Sequence, residues 1–224
     1  ARNGARWTGL EKDEYDQGQH DGIFEVLSVS TAGALIRRSV FEELGGFDEK
    51  LDLFRDDVDF GWRVHAAGQS VLVNTDAVIY HAEAAASERR EVDVDEAFLH
   101  RPHLLDRRNA AYVLLTNSTW WMLPFISLQV TGAALARAIG YLFAKLPGYA
   151  SDELLALLRL FTRPDLVRAG RKWRKEDRLV SPRVVTRFMP SRISQFRSAI
   201  DALTDSIQSK LFSPQTEIKS EISD

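Results

Sequence analysis

The chain has 224 residues, 45% of them hydrophobic and 27% charged, with a formal net charge of −3 at pH 7. This length suits one large domain or one domain with a tail, and the apolar content is sufficient for a core. The absence of cysteine excludes disulfides, thiolate metal sites and a cysteine nucleophile, and the small negative charge gives no general attraction to nucleic acid. Because the chain starts at Ala1 without Met, we expect it to be processed or cut from a longer protein.

The first part of the sequence alternates between apolar segments and turn signals. Residues 1–22 are polar and are predicted to form a loop. Residues 23–36 are rich in apolar and β-branched types, which predicts one or two short buried strands. Ser39 and Glu42 have the spacing of a capping box, so a short helix is expected here, ending at the glycine pair 45–46.

A second helix is predicted after the following loop. Asp56 or Asp57 can cap this helix, and Gly68 is its expected end. Two strands are predicted next, at 71–73 and 77–80, around an Asn-Thr-Asp turn. This part of the chain therefore mixes strands with short helices.

The second half of the sequence is predicted to be helical. Residues 110–145 form the most apolar stretch, which Pro147-Gly148 is expected to end. Ser151 is predicted to cap the next helix and Pro164 to end it. A final amphipathic helix is predicted at 192–210, followed by a disordered tail.

A series of short motifs runs through the first half of the chain. It comprises a small-residue strand, an R-x-x-F-x-x-x-G-G-F-D-E stretch, an acidic pair followed by V-D-x-x-W-R, a Gly-bounded strand, and a histidine after the last strand. These are Gly33-Ala34, Arg38 to Glu49, Asp56-Asp57 with Val58 to Arg63, Gly68 to Val73, and His81. The series resembles the second half of the catalytic domain of the family-2 inverting glycosyltransferases, as found in bacterial, membrane-associated members. No single motif is specific, but the order and spacing match throughout.

The resemblance implies an α/β fold: the C-terminal half of a GT-A domain, followed by a mainly helical, membrane-proximal region. We expect residues 1–100 to be this half, residues 101–190 to be the helical region at the membrane interface, and residues 191–224 to be an amphipathic helix with a disordered tail. The family's nucleotide-binding half and its D-x-D motif have no counterpart ahead of residue 23, and the only D-x-D strings are at 57–59 and 93–95. We therefore expect the chain alone to be inactive.

Sugar transfer requires a base that removes the proton of the acceptor hydroxyl and groups that compensate the charge of the departing diphosphate. Asp56 and Asp57 are adjacent at a predicted helix start, where the helix dipole stabilises negative charge. The resemblance implies that Asp57 is the catalytic base and Asp56 its acidic neighbour in the site. The alternative interpretation is that both residues only form an N-cap cluster on a solvated helix.

Four further residues are candidates for binding. The resemblance implies that His81 helps to hold Mg²⁺ or Mn²⁺ beside carboxylate and diphosphate oxygens, although Ala85 stands where serine is common in members with this histidine. Arg63 can pair with an aspartate or with the diphosphate of the substrate. Trp62 can form a platform for the sugar or fill the core, and Gly33, in the small-residue strand, is the remaining candidate for substrate binding.

The apolar stretch 120–143 is long enough to cross a bilayer. Three interpretations remain open: a span, a helix in the plane of the interface, and a helix buried against the catalytic domain. A span would place Arg137 in hydrocarbon, at a cost of about 2.5–3.5 kcal/mol if central. If the catalytic domain and the basic stretch 168–178 both face the cytosol, two crossings are needed, and the interval is too short for them. We therefore expect an interfacial helix on the cytoplasmic face of the bacterial cell membrane, with the basic stretch on anionic headgroups.

The sequence thus predicts transfer of a sugar, with inversion, from a nucleotide-sugar donor to a hydroxyl of a glycan or lipid-linked acceptor of the cell envelope. The expected partners are these substrates and an anionic membrane surface, with no nucleic acid. The main alternative is a non-enzymatic, membrane-peripheral interaction module that retains a degenerate transferase half. A metal-dependent hydrolase would need more histidine and acidic ligands than five scattered histidines suggest.

Overall fold

The computed structural model of the chain describes residues 17–18, 21–51, 53–79, 101–189 and 204. The strands are β1, Ile23–Glu25, and β2, Leu72–Asn74, and the α-helices are α1, Arg38–Glu43, α2, Asp56–Ala66, α3, Pro102–Asn117, α4, Leu123–Phe143, α5, Pro147–Phe161, and α6, Pro164–Glu176. Three 3₁₀ turns lie at Thr31–Gly33, Trp120–Met122 and Pro182–Phe188. His81 and the helix predicted at 192–210, apart from Thr204, fall outside the described residues.

β1 and β2 form a two-stranded antiparallel sheet in which Phe24 lies opposite Val73. The turn predicted after β2 is present, since the backbone N–H of Asp76 donates to Oδ1 of Asn74 at 3.1 Å. A short polar side chain that bonds to its own backbone two residues on is the usual reason for such a turn. The turn therefore ends β2 where the sequence predicts it.

The predicted strands cover more residues than the two strands that form. Residues 77–79 are irregular, and the second strand allowed within 23–36 is instead the 3₁₀ turn at Thr31–Gly33. The hydroxyl of Ser30 accepts the N–H of Ala32 at 3.3 Å. A side chain that satisfies the local backbone in this way competes with strand pairing, which explains the turn.

The helix starts predicted from serine caps are wrong. α1 begins at Arg38, before Ser39, without a side-chain cap, and Ser151 lies inside α5. α5 and α6 both begin at proline, whose fixed φ suits the first helical turn and whose missing N–H is not needed there. Pro147 and Pro164 therefore start these helices, and the preceding helices end shortly before them, at Phe143 and Phe161.

The helical region packs on the segment that precedes it. One hydrophobic core joins Leu51 and Trp62 to side chains of α3, to Ile126 and Val130 of α4, and to Val185 beyond α6. The described residues on the two sides of the boundary predicted at residue 100 thus share one core. Separating them would expose apolar surface on both.

A close contact between α2 and the loop after β1 fixes the position of this helix. Gly61 lies in the middle of α2, where a Cβ atom would overlap the carbonyl oxygen of Leu27. α1 packs on α2 through the rings of Phe41, Phe47 and Phe60, whose centroids are 5.2–5.5 Å apart. Glycine at position 61 therefore lets α2 lie between the loop and α1.

The α4–α5 hairpin carries apolar side chains on its outward side. The segment Trp120–Phe143 is long and apolar enough to cross a membrane, yet only 22% of its most apolar window is buried in the protein. The inward stripe consists of Ile126, Val130, Ala134, Ala138 and Tyr141. What we call the apolar hairpin face consists of Phe125, Leu128, Leu135, Ile139, Leu142 and Phe143 of α4 and Leu154, Leu158 and Phe161 of α5. The interpretation of this helix as buried against the catalytic domain therefore does not fit the described structure.

Gly61→Ala is expected to lower the free energy of unfolding of the chain by about 1–3 kcal/mol, because the added methyl group must push α2 away from the loop. Gly132→Ala is the matched control. Gly132 lies in α4, and no atom lies within 4 Å of the position of a Cβ there, so alanine should stabilise the helix by about 0.5–1 kcal/mol. Urea unfolding followed by circular dichroism measures both changes. Equal effects would show that the contact at Leu27 imposes no constraint.

Candidate functional site at the start of α2

The acidic pair lies in the first turn of α2. Asp56 and Asp57 are both half-buried, and Oδ1 of Asp57 accepts the backbone N–H of Val58 at 2.7 Å. The prediction that one of them is the N-cap is wrong, since Arg55 holds that position and no side chain caps the helix. Both carboxylates still lie at the positive end of the helix dipole, where negative charge is stabilised.

The loop before the acidic pair contains two residues in the left-handed region. Phe54 and Arg55 have φ values of 64° and 69°, which cost non-glycine residues about 1–3 kcal/mol each. α3 holds this loop: Arg55 makes two bonds to Asp106, of 2.7 and 3.0 Å. Nδ2 of Asn109 donates to the carbonyl oxygens of Leu53 and Phe54 at 2.6 and 3.2 Å. The helical region thus fixes the entry to α2.

A buried group of charged side chains lies just after the acidic pair. Asp59 is fully buried, and its Oδ2 accepts Nε of Arg63 at 2.9 Å. Its Oδ1 accepts Nη2 of Arg174 and Nδ2 of Asn117, each at 2.7 Å. The same Nη2 also donates to Oδ2 of Asp48 at 2.7 Å. Since Arg174 belongs to α6, the helical region contacts α2 here a second time.

The charges of this group balance, with Asp48 and Asp59 facing Arg63 and Arg174. Burial by itself would raise the pKa of Asp48, but the backbone N–H of Lys50 and the charge of Arg174 hold it below its ordinary value. Burial acts to lower the pKa of Arg174, but the charges of Asp59, Tyr112 and Asp48 together with the hydrogen bond to Asp59 raise it. Asp48 and Arg174 therefore stay charged at neutral pH.

Arg63, one of the predicted substrate-binding residues, points into the protein. Its Nη1 and Nη2 donate to the carbonyl oxygens of Leu44 and Gly46 at 2.8 and 2.6 Å, and its guanidinium lies 4.5 Å from the ring centre of Trp173. Of its two predicted roles, pairing with an aspartate is the one present, through Asp59. With only 5% of its surface exposed, Arg63 offers little surface to a diphosphate.

Trp62 and Gly33, two further predicted site residues, have packing roles in the structure. Trp62 is buried in the core, as the alternative interpretation predicted. Gly33 is exposed in its 3₁₀ turn, where a Cβ atom would overlap the side chain of Ile79, so glycine allows the residues after β2 to pack across the turn. Within the described residues, no histidine and carboxylate side chains group to hold a metal ion, and His81 is outside these residues. Of the six predicted site residues, the structure brings together Asp56 and Asp57.

Sequence reasoning missed the residues that support the acidic pair. Asp106 and Arg174 lie 51 and 115 residues from their partners, and no local pattern reports such a distance. One available signal is the spacing of Arg171 and Arg174, which places them on one face of α6, with Arg178 two residues beyond the end of this helix. These three are buried or half-buried, so the prediction that the whole basic stretch 168–178 lies on headgroups is wrong for them.

A second buried carboxylate lies between α3, α4 and α5. Glu153 is fully buried and accepts two bonds from Arg137, both of 2.9 Å, while Nε2 of His103 and Nε of Arg107 lie 3.1 and 3.3 Å away. Burial alone would raise the pKa of Glu153, but hydrogen bonds from His103 and Arg137 hold it below its ordinary value. Arg137, the charge expected to oppose contact of α4 with hydrocarbon, is thereby paired inside the protein.

Comparison with known proteins places this geometry in a family context. Residues 5–93 match the family described as glycosyltransferase like family 2. A segment of 71 residues is 41% identical to the O-antigen biosynthesis protein RfbC of Myxococcus xanthus, covering 32% of this chain and 5% of that protein. A segment of 92 residues is 32% identical to the N-acetylglucosaminyl-diphospho-decaprenol L-rhamnosyltransferase of Mycobacterium tuberculosis, covering 40% and 27%. The match thus covers only a twentieth of the length of the first relative and about a quarter of the second, and no solved structure matches the chain.

The stability of the chain is expected to fall in acid. Because Asp48 and Glu153 have folded pKa values below the ordinary 3.8 and 4.5, the unfolded chain binds more protons as the pH falls. Their contribution is complete above about pH 5 and is lost as the pH falls through the folded values. Thermal unfolding over a pH series measures this loss, and Glu153→Gln should flatten it. Asp165→Asn, at the exposed pair with Arg163, should change it less because solvent screens that pair. An unchanged slope in Glu153→Gln would contradict the assignment.

Proposed function

We propose that this protein transfers a sugar, with inversion, from a nucleoside-diphosphate donor to a hydroxyl group, because residues 5–93 match the glycosyltransferase like family 2. The observation that supports this proposal is the position of Asp57, a half-buried carboxylate in the first turn of α2. The family implies an α/β fold of the GT-A type. We propose that β1, α1, α2 and β2 belong to the C-terminal half of that domain.

In the proposed reaction, Asp57 takes the proton of the acceptor hydroxyl as the hydroxyl oxygen attacks the anomeric carbon of the donor sugar. The bond from that carbon to the diphosphate oxygen breaks on the opposite face, and its electron pair leaves with the nucleoside diphosphate. The configuration at the anomeric carbon therefore inverts. A carboxylate can accept this proton only when it is ionised, and the start of a helix stabilises its charge. Asp56 is the second carboxylate of the proposed site.

Mg²⁺ or Mn²⁺ is the proposed cofactor, because a divalent cation compensates the charge of a leaving diphosphate. His81 is the ligand proposed from this chain. The described residues do not form a metal site. No D-x-D string precedes Asp57, and we propose that donor binding also needs residues beyond these 224. Activity of His81→Ala over a series of Mn²⁺ concentrations, in the complete gene product, tests the ligand assignment.

The names of the relatives support a proposal for the acceptor. One is named as an O-antigen biosynthesis protein, and the other as a rhamnosyltransferase for N-acetylglucosaminyl-diphospho-decaprenol. We propose that the acceptor here is likewise a lipid-linked or cell-envelope glycan. An acceptor of this kind is held at a membrane by its lipid, which makes the α4–α5 hairpin relevant to the same reaction.

We propose that the hairpin lies in the interface of the cytoplasmic membrane leaflet. The apolar hairpin face carries no charged side chain, while Arg137 and Glu153 pair inside. Trp120 and Trp121 are exposed at the start of this face, and such rings prefer the level of the lipid headgroups. These features together suit a helix that lies on a membrane with one side in the acyl boundary.

The outer side of α6 adds a basic surface to this proposal. Arg168, Lys172 and Lys175 are exposed and follow one another at four- and three-residue intervals, so they share one helix face. Each can contribute roughly 1 kcal/mol near an anionic membrane surface. The apolar hairpin face is also compatible with the alternative function, a membrane-peripheral module without transferase activity. Both functions require membrane binding, so the assay of sugar transfer is what separates them.

Asp57→Asn in the complete gene product is expected to lower kcat by about 10²–10⁴-fold, because an amide cannot accept the proton. The assay follows transfer of labelled rhamnose from its nucleoside-diphosphate form to polyprenyl-diphospho-N-acetylglucosamine. Asp76→Asn, at an exposed aspartate in the turn after β2, is the control and should keep wild-type turnover. Near-normal turnover of Asp57→Asn would remove Asp57 as the base.

The chain should float with liposomes that contain anionic lipid, and its binding should weaken as salt is added. Leu128→Glu combined with Ile139→Glu should abolish flotation by placing two charges on the apolar hairpin face. Leu72→Glu, at an exposed leucine of β2, is the matched control and should still float. Resistance to both salt and carbonate would show that α4 spans the bilayer, and a wild-type chain that never floats would show that the face binds protein.

A further inference from the structure

We propose that Arg174 is a positioning residue for the transfer reaction, acting through Asp59 to fix the turn of α2 that carries Asp57. This inference rests on the proposed function of Asp57 as the base. Arg174 lies in α6, beyond the family segment 5–93. The helical region would therefore take part in the transfer step in addition to contacting the membrane.

The guanidinium of Arg174 reaches α2 through a side chain that is fully buried. Its Nε and Nη2 both donate to Oδ1 of Asp59, at 2.9 and 2.7 Å, and Nη2 also donates to Asp48. Its Nη1 donates to the carbonyl oxygen of Gly170, one turn earlier in α6. Because the guanidinium is planar and its donors have fixed directions, it restrains the positions of the acceptors it binds.

Gly170 allows α6 to come close enough for this contact. A Cβ atom at this position would overlap the hydroxyl of Tyr112. That hydroxyl donates to Oδ2 of Asp48 at 2.9 Å, the same oxygen that Arg174 binds. Tyr112 of α3 and Arg174 of α6 therefore bind the same carboxylate. This shared contact fixes how far the guanidinium of Arg174 extends into the core.

Asp59 connects Arg174 to the acidic pair because all three aspartates lie in the first turn of α2. Asp59 follows Asp57 by two residues, and its backbone N–H donates to the carbonyl oxygen of Arg55 at 2.9 Å. Arg55 is held in turn by Asp106 of α3. Asp56 and Asp57 thus lie between two ion pairs, and a rotation or shift of the start of α2 would break at least one of them.

The energetics favour a role in geometry over a role in stability alone. Replacing a buried ion pair by apolar residues is often neutral, whereas removing one partner is strongly destabilising. A fold can therefore dispense with such a pair if both partners change together. Displacing a reacting group by about 1 Å can cost on the order of 10²-fold in rate. Loss of the pair should consequently appear in kcat even when the protein is fully folded.

The test compares Arg174→Met, Asp59→Asn and the double variant in the complete gene product, with the rhamnose donor and lipid-linked acceptor used for Asp57. Each single variant leaves buried charge unpaired, while the double variant removes one charge of each sign, so its thermal midpoint should return toward the wild-type value. We expect its kcat per folded molecule to remain lower by about 10- to 100-fold, with donor KM unchanged. A purely structural role would instead restore kcat together with stability.

Arg174→Lys keeps the charge but loses the planar donor geometry, and it should fold and still lose about 10-fold in kcat. Arg163→Met, at an exposed arginine beside the start of α6, is the control and should match the wild type. Wild-type kcat in the double variant, or in Arg174→Lys if the double variant does not fold, overturns this inference alone. A wild-type protein that transfers no sugar overturns the proposed function and this inference together.

Discussion

A charge-balanced group that is shut off from water holds the described structure together. Asp48 comes from the loop after α1, Asp59 and Arg63 from α2, and Arg174 from α6. In a low-dielectric interior an unpaired charge is costly, so these side chains are stable only when all of them are assembled. Asn117 joins α3 to the same group through Asp59. This requirement makes the helices that precede residue 79 and those that follow residue 101 depend on one another.

The cost of an unpaired buried charge also bears on the α4–α5 hairpin, whose charged side chains face inward and whose apolar side chains face outward. Arg137 and Glu153 point inward and pair with each other, while the apolar hairpin face points outward, which reverses the arrangement of an ordinary surface helix. Because the charge of Arg137 is already matched inside, contact of α4 with hydrocarbon would not move a bare charge out of water. The interior pair and the exterior apolar face are therefore two parts of one arrangement, on which the proposed membrane contact rests.

The sequence predicts local structure where one residue decides it. Gly68 ends α2 with a φ of 75°, and Asn74 forms the turn after β2, both as predicted. The predicted serine caps failed because α5 starts at a proline instead and α1 starts before Ser39 without a side-chain cap. The order of the motifs led to the hypothesis that the acidic pair is catalytic, but it gave no sign of the contact of Arg174 with Asp59, which joins residues 115 positions apart. Helical spacing shows which basic residues share a face, and only tertiary packing determines which face turns inward.

Burial separates two kinds of residue within one series of motifs. Asp56 and Asp57 are half-buried, whereas Asp48, Asp59 and Arg63, which match the same family pattern, are buried and bonded within the protein. A motif match therefore does not distinguish a reacting group from the groups that support it. Without α6, the buried carboxylates would lose the counter-charge that Arg174 provides. Although the family match ends at residue 93, the helical region is in physical terms a part of the unit that holds the acidic pair.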